Sequence, residues 1–297
     1  MSDDAKRPAY EWPEGYKSAA AFTVDVDADV PYRWQHRDAM PPTLGQLEQR
    51  RFGPRQGLWR LVGLIEQNGI KGSFYVPGLV AETHPDLLPE LLDRGHEIGL
   101  HGYFHEIVAE SDDAEFARAL DKSLALFERQ TGKPPVGFRS PAWEMTRPML
   151  ARLKEVGLAY DSSLMGFDHP YEIDGVVEIP VQWLLDDAIY FKFVGGGNDS
   201  GPPVSPAAVL ESWRMEFDGL HRFGGLFMLT VHDWISGRGQ RIMMLERLLG
   251  HIASAGSTWW ATASEIATWH RQSPNLGRFQ VEGDIPAAIG PRRAEPA

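Results

Sequence analysis

The stretch Ala19-Ala20-Ala21-Phe22-Thr23-Val24-Asp25-Val26-Asp27 is almost continuously apolar and β-compatible until it ends on two carboxylates. A strand with one wet face would alternate apolar and polar residues, whereas an unbroken apolar run belongs to a strand covered on both faces, as in a parallel sheet. The same design recurs at 70–76, 96–100, 136–138, 158–160, 176–179, 225–231 and 258–261. Helical patterns fall between these runs at 58–67, 85–94, 112–130, 147–156, 206–222 and 240–255. Short glycine joints connect them: Asn68-Gly69, Arg94-Gly95, Thr131-Gly132, Val156-Gly157 and Ala255-Gly256. Alternation of this kind is the mark of repeated βαβ units and predicts an α/β fold closed into a parallel barrel.

The chain has 297 residues, 43% of them apolar and 24% charged, enough for one catalytic domain over 1–297 with a core at about 19–272. After Gln272 the prolines at 274, 286, 291 and 296 predict an irregular C-terminal arm over 273–297. A formal charge of −12 argues against nucleic acid as a partner, since such binders need a basic stripe. No apolar run approaches the roughly 20 residues of a membrane-spanning helix. The charged start, Met1-Ser2-Asp3-Asp4-Ala5-Lys6-Arg7-Pro8, does not read as a secretory signal, so a cytoplasmic protein with no membrane partner is expected. There is no cysteine, which excludes disulfides and thiolate chemistry.

His101 and His105, in His101-Gly102-Tyr103-Phe104-His105, leave the strand-like run Ile98-Gly99-Leu100. Asp25 and Asp27 leave another strand in the same direction, and residues two apart on a strand point the same way. Two imidazoles and a carboxylate are a ligand set for a catalytic zinc, which keeps a coordination position open for water. Asp27 would join His101 and His105 on the metal while Asp25 takes a proton from water; the same ligands also suit Fe, Co or Mn. Aspartates at a strand end also serve as turns and caps. Arg139, Asp161 and His232 follow other predicted strands, at the barrel end where active sites are built.

Thr23-Val24-Asp25-Val26-Asp27, His101-Gly102-Tyr103-Phe104-His105, Arg139-Ser140-Pro141-Ala142-Trp143 and Leu229-Thr230-Val231-His232 resemble, in order, four motifs of the polysaccharide deacetylases with the NodB homology domain. The resemblance implies a distorted (β/α) barrel of about seven or eight mostly parallel strands. It also implies metal-dependent hydrolysis of an amide such as a sugar N-acetyl group, with Asp25 as base, Asp27, His101 and His105 as ligands, and His232 as general acid. Arg139 would pair with Asp25 and keep it ionised. Family members carry an aspartate that tunes the acid histidine; Asp161 is the first candidate, with Asp186 and Asp187 behind it. Where most members place an aromatic after the third-motif proline, this chain has Ala142 and then Trp143, which changes pocket shape while leaving a backbone N–H able to hold an oxyanion. The segments 139–143, 160–165 and 232–238 resemble a branch that includes a bacterial peptidoglycan deacetylase and cyclic imide hydrolases. Allantoinase-like relatives, some metal-free, lie nearby.

Two stretches stand outside this pattern. Residues 31–54, rich in arginine and proline, read as a lid, an oligomer contact or a plain surface excursion. The run Gly195-Gly196-Gly197-Asn198 does not match a phosphate-binding fingerprint. Trp34, Phe104, Trp143, Tyr171, Trp183 and Trp234 are candidates for an apolar substrate wall, with at least half of them expected in the core. Arg50, Arg51 and Arg55 could meet an anionic substrate or form a solvated face or subunit contact. The reading that results is a hydrolase of non-peptide C–N bonds acting on a small molecule or oligosaccharide, and the resemblance implies a homo-oligomer. Ring opening of a cyclic imide or allantoin-type ureide, or a non-catalytic carbohydrate-binding barrel, are the alternatives.

Overall fold

A computed structural model describes residues 9–38, 43–108, 112–195, 199 and 201–283. Its sheet contains β1 (Ser18–Asp25), β2 (Ser73–Val76), β3 (Glu97–Leu100), β4 (Gly137–Phe138), β5 (Tyr160–Asp161), β6 (Tyr171–Ile173), β7 (Val176–Glu178), β8 (Leu226–His232), β9 (Thr258–Trp260) and β10 (Gln280–Val281). The order is β10-β6-β7-β5-β4-β3-β2-β1-β8, with β9 paired to the first half of β1. All pairings are parallel except β6 with β7. The circle closes through a single parallel bridge between Asp186 and Thr230 instead of a full strand, which is how the barrel is distorted.

The helices are α1 (Val30–Gln35), α2 (Leu44–Phe52), α3 (Leu58–Gln67), α4 (Gly78–Thr83), α5 (Leu87–Asp93), α6 (Asp113–Thr131), α7 (Arg147–Glu155), α8 (Ala188–Phe191), α9 (Pro206–Phe223), α10 (Asp233–Ser236), α11 (Gly239–Ala255) and α12 (Ala263–Gln272). Their ends follow local chemistry. Asp112 and Thr262 each cap a helix reciprocally with a glutamate three residues on, and Gly132 and Gly224 close α6 and α9 in the left-handed region. Among the described residues no helix is long and apolar enough to cross a membrane.

β1 is buried along its whole length, and its alternation sorts the core into two layers. Ala20, Phe22, Val24 and Val26 face the helices with Phe74, Leu61 and Leu245, while Ala19 and Ala21 face the barrel interior with Tyr75, Tyr160 and Met228. The interior is filled by large rings because neighbouring positions are glycine. A Cβ on Gly99 would lie 2.7 Å from the Tyr75 ring, and one on Gly137 would lie 2.0 Å from that of Tyr160. Thr23 and Asp25 continue the inward row of β1, so the same period that packs the alanines aims the carboxylate at the barrel axis.

The stretch 31–54, set outside the strand–helix pattern above, is largely helical where it is described. Pro31 sits in the first turn of α1, where its missing N–H costs nothing, and α2 runs through a π-helical turn, Gly53–Gly57, into α3. Glycine is required in that turn, since a Cβ on Gly57 would lie 2.0 Å from the Asp233 carbonyl oxygen of α10. In the described part of the arm that begins at 273, Asn275 is fully buried and the two-residue β10 pairs with β6. Residues 284–297, 196–198 and 39–42 lie outside the described residues.

Candidate active site

Because β1, β2, β3, β4, β5 and β8 run parallel, their C-terminal ends share one rim. Register puts Asp25 opposite His232 across β1 and β8. The turn after β3 returns His105 to the same place through Gly102 at φ 67° and His105 itself at φ 57°. Ala28, Ala142 and Trp143 also adopt positive φ, so the loops around the rim hold non-glycine residues in a conformation that costs about 1–3 kcal/mol each and survives only where surroundings enforce it.

Arg139 is completely buried and organises the base. Its Nη1 donates to Asp25 Oδ1 at 2.8 Å, to Thr23 Oγ1 at 2.8 Å and to Thr230 Oγ1 at 3.3 Å. Its Nε and Nη2 donate to the carbonyl oxygen and hydroxyl of Ser162. The guanidinium also lies 4.0 Å from the Tyr75 ring centroid. Burial alone would raise the Asp25 pKa, but Arg139 and the nearby imidazoles outweigh it and hold the carboxyl below its usual value.

Asp27, His101 and His105 converge. The Nε2 atoms of both histidines lie 3.6 Å from Asp27 Oδ1, and the three potential ligand atoms are all within 4.8 Å of one another. Asp27 Oδ1 is buried without a hydrogen-bond partner. An orphaned carboxylate oxygen is costly unless something absent from the protein alone satisfies it. Ligands about 2.1 Å from a common tetrahedral ion stand roughly 3.4 Å apart, close to the spacing found. His101 Nδ1 meets the Arg139 carbonyl oxygen at 2.8 Å, which fixes the ring and turns Nε2 toward Asp27. Burial lowers the pKa of both histidines, that of His105 to about 4, so they are neutral near pH 7, the form that binds metal. Burial, with the neighbouring Asp25 charge, raises that of Asp27. The residues present therefore fit a divalent ion.

His232 Nδ1 lies 2.7 Å from Asp187 Oδ1, while Asp187 Oδ2 accepts from the His232 backbone N–H at 3.0 Å. Asp186 stands 3.7 Å from the same Nδ1. Burial disfavours the imidazolium, but Asp187 and then Asp186 outweigh it and raise the His232 pKa well above its ordinary value. Burial pushes Asp186 itself up to about 7. The ring's other nitrogen, Nε2, points toward Asp27 Oδ2 at 3.7 Å.

Asp161 is not brought to His232. Its Oδ1 accepts from Ser163 Oγ at 2.8 Å, and it pairs with Glu178 across β5 and β7. The tuning place is taken by Asp187, one of the two aspartates ranked behind Asp161; residues 183–187 are not a strand, and one bridge to Thr230 sets their place beside β8.

A small cleft of about 40 Å³ opens on this rim, lined by Asp27 and His232 together with Tyr32, Arg50, Lys192 and Trp234. Trp34 and Phe104 stack at 5.9 Å, and Trp143 and Trp183 meet at 4.4 Å with their rings tilted, on other loops. Tyr171, Trp143 and Trp234 are buried, whereas Phe104 and Trp183 remain exposed.

The polysaccharide deacetylase family model matches residues 52–160. A peptidoglycan deacetylase from Helicobacter pylori is 29% identical over 277 residues, covering 83% of this chain and 94% of that relative. A solved Mycobacterium smegmatis structure, provisionally described as a polysaccharide deacetylase, is 35% identical with a TM-score of 0.82, covering 90% of this chain and 95% of that one. The structure of Puue allantoinase shares the fold, with a TM-score of 0.79 at 22% identity over 91% of this chain and 96% of that one. This chain is a hydrolase of carbon–nitrogen bonds other than peptide bonds. It belongs to the polysaccharide deacetylase family.

Proposed function

We propose that the protein is a metal-dependent deacetylase that removes the acetyl group from an N-acetylated sugar. The observation that carries this reading is the orphaned Asp27 Oδ1, buried and 3.6 Å from each imidazole Nε2, beside a second carboxylate held by Arg139. Asp27, His101 and His105 would hold the ion, with zinc the natural choice for this donor set; when bound, it polarises the acyl oxygen and acidifies water.

The remaining work falls to the protein's own groups. Asp25 accepts a proton from the attacking water, and its ion pair with Arg139 keeps it ionised for that task. His232 donates a proton from Nε2 to the departing nitrogen. Asp187 keeps Nδ1 occupied, so the transferable proton is on the ring nitrogen that faces the cleft. Base and acid thus stand on adjacent strands in register, one held ionised by an arginine and the other held protonated by a carboxylate.

The test is acetate release from N-acetyl-chitooligosaccharides by purified protein, before and after chelation and metal restoration. Metal-dependent release supports the reading. Turnover of succinimide, hydantoin or allantoin without any acetate release would replace it with ring-opening hydrolysis.

A further inference from the structure

Among the arginines of α2 and the turn that follows it, one differs in kind. Arg51 pairs with Asp29 at 3.0 Å and with Glu48 at 3.5 Å, and Arg55 pairs with Glu48 at 2.6 Å, all at the surface. Arg50 is 5% exposed, yet it makes no ion pair among the described residues. Its guanidinium lies 4.4 Å from the Tyr32 ring centroid and 5.0 Å from that of Trp234, so its plane is held by flat walls. Nη1 alone is satisfied, by the Gln46 carbonyl oxygen at 2.9 Å and Gln46 Oε1 at 2.7 Å, and Gln46 is itself anchored through Nε2 to the Val194 carbonyl oxygen. Nε and Nη2 have no protein acceptor among the described residues, and Arg50 is one of the residues lining the cleft that contains Asp27 and His232. Lys192 lines the same cleft.

A buried guanidinium without a counter-charge is destabilising, and a protein that retains one usually finds the missing charge in a ligand. The overall charge of −12 repels anions, so anion recognition here requires a local cation. Arg offers a planar fork matched to a carboxylate, and the neighbouring Tyr32 and Trp234 rings restrict its orientation in advance. Burial lowers the Arg50 pKa, and Tyr32 and the Asp29 charge offset this only in part.

We propose that Arg50, with Lys192, binds a carboxylate on the substrate, so that the preferred substrate carries an acidic substituent besides the bond that is cut. This rests on the reading of the cleft as an amide-hydrolysing site and adds to it the substrate's charge.

Two measurements separate this idea from that reading. In the first, protein with ¹⁵N-labelled arginine is titrated with succinate, and the Arg50 side-chain signal is identified by its loss in Arg50→Lys. A saturable shift of that signal, absent with chloride at equal ionic strength, is expected whether or not amides are cleaved. No shift, or an equal shift with chloride, would overturn the proposal. In the second, kcat/KM is compared for N-acetylmuramic acid and its methyl ester. The acid should be preferred by about 10–100-fold, the scale of a charge-assisted bidentate contact, and Arg50→Gln should bring the two within about threefold. A preference that persists in Arg50→Gln, or is absent from the parent protein, would also overturn it. Failure to cleave either compound counts against the deacetylase reading, and the titration then decides on Arg50.

Discussion

Replacing Asp187 by Asn removes one charge from a fully buried contact while keeping its shape. In the parent protein the two carboxylate oxygens are both used, one by His232 Nδ1 at 2.7 Å and the other by the His232 backbone N–H at 3.0 Å. An amide can accept only through its single oxygen, so one of these donors must face an NH2 group. The lost charge-assisted hydrogen bond is worth about 1.5–3 kcal/mol, and at about 1.36 kcal/mol per unit the His232 pKa should fall by roughly one to two units. The sign matters for stability. A histidine whose pKa is raised by folding contributes stability below its unfolded value, and that contribution disappears as pH rises through the folded value. Asp187→Asn should therefore lose most stability under mildly acidic and neutral conditions and converge on the parent under alkaline ones. Turnover should fall by about 10²–10⁴, the usual contribution of a positioned acid, with the alkaline limb of the pH–rate profile moved toward lower pH. Histidine titration by NMR, with acetate-release kinetics, reads both effects. Asp161→Asn is the control, because Asp161 does not touch His232. If Asp187→Asn keeps the parent His232 pKa and rate while Asp161→Asn loses both, the assignment of the tuning carboxylate is wrong.

Three further outcomes follow from the same geometry. Asp27→Asn and His105→Ala should each bind far less metal by elemental analysis while keeping the parent circular dichroism spectrum, and chelated parent protein should regain activity when metal is restored; full metal content in both variants would refute the ligand set. Arg139→Met strands Asp25 as a buried charge and should cost about 3–5 kcal/mol in urea unfolding, with part of the loss recovered in Arg139→Met/Asp25→Asn; no recovery would mean that the other bonds of Arg139 account for the loss. Burial pushes Asp161 from 3.8 up to about 6 and its neighbour Glu178 well above its ordinary range, so both favour the protonated form in the folded state. Stability from the pair should be held at low pH and decline as pH rises through about 4 to 6 and beyond, and Glu178→Gln should flatten this decline in thermal melts.

Much of the active rim could be read from local pattern because β1, β3 and β8 each carry their signal in contiguous residues: an apolar run, then the functional side chain. Arg139 was legible for the same reason, although nothing local showed that it also gathers Thr23, Ser162 and Thr230 around the base. β6 and β10 were missed since Tyr171–Ile173 and Gln280–Val281 are too short to show a period. α1 and α2 were hidden by Pro31 and the charged composition of the segment. Proline in a first turn is compatible with a helix, and Arg50 owes its burial to the rings of Tyr32 and Trp234.

What the sequence by itself determined was the alternation of strand and helix and, with it, the end of the sheet where Asp25, Asp27, His101, Arg139 and His232 gather. Both follow from hydrophobic period and chain direction, which are local properties. Only the tertiary structure decided which carboxylate serves His232 and which arginine of its cluster enters the cleft. Those outcomes depend on how a barrel closes between β7 and β8 and on what packs above its rim, and such contacts join residues that share no pattern along the chain.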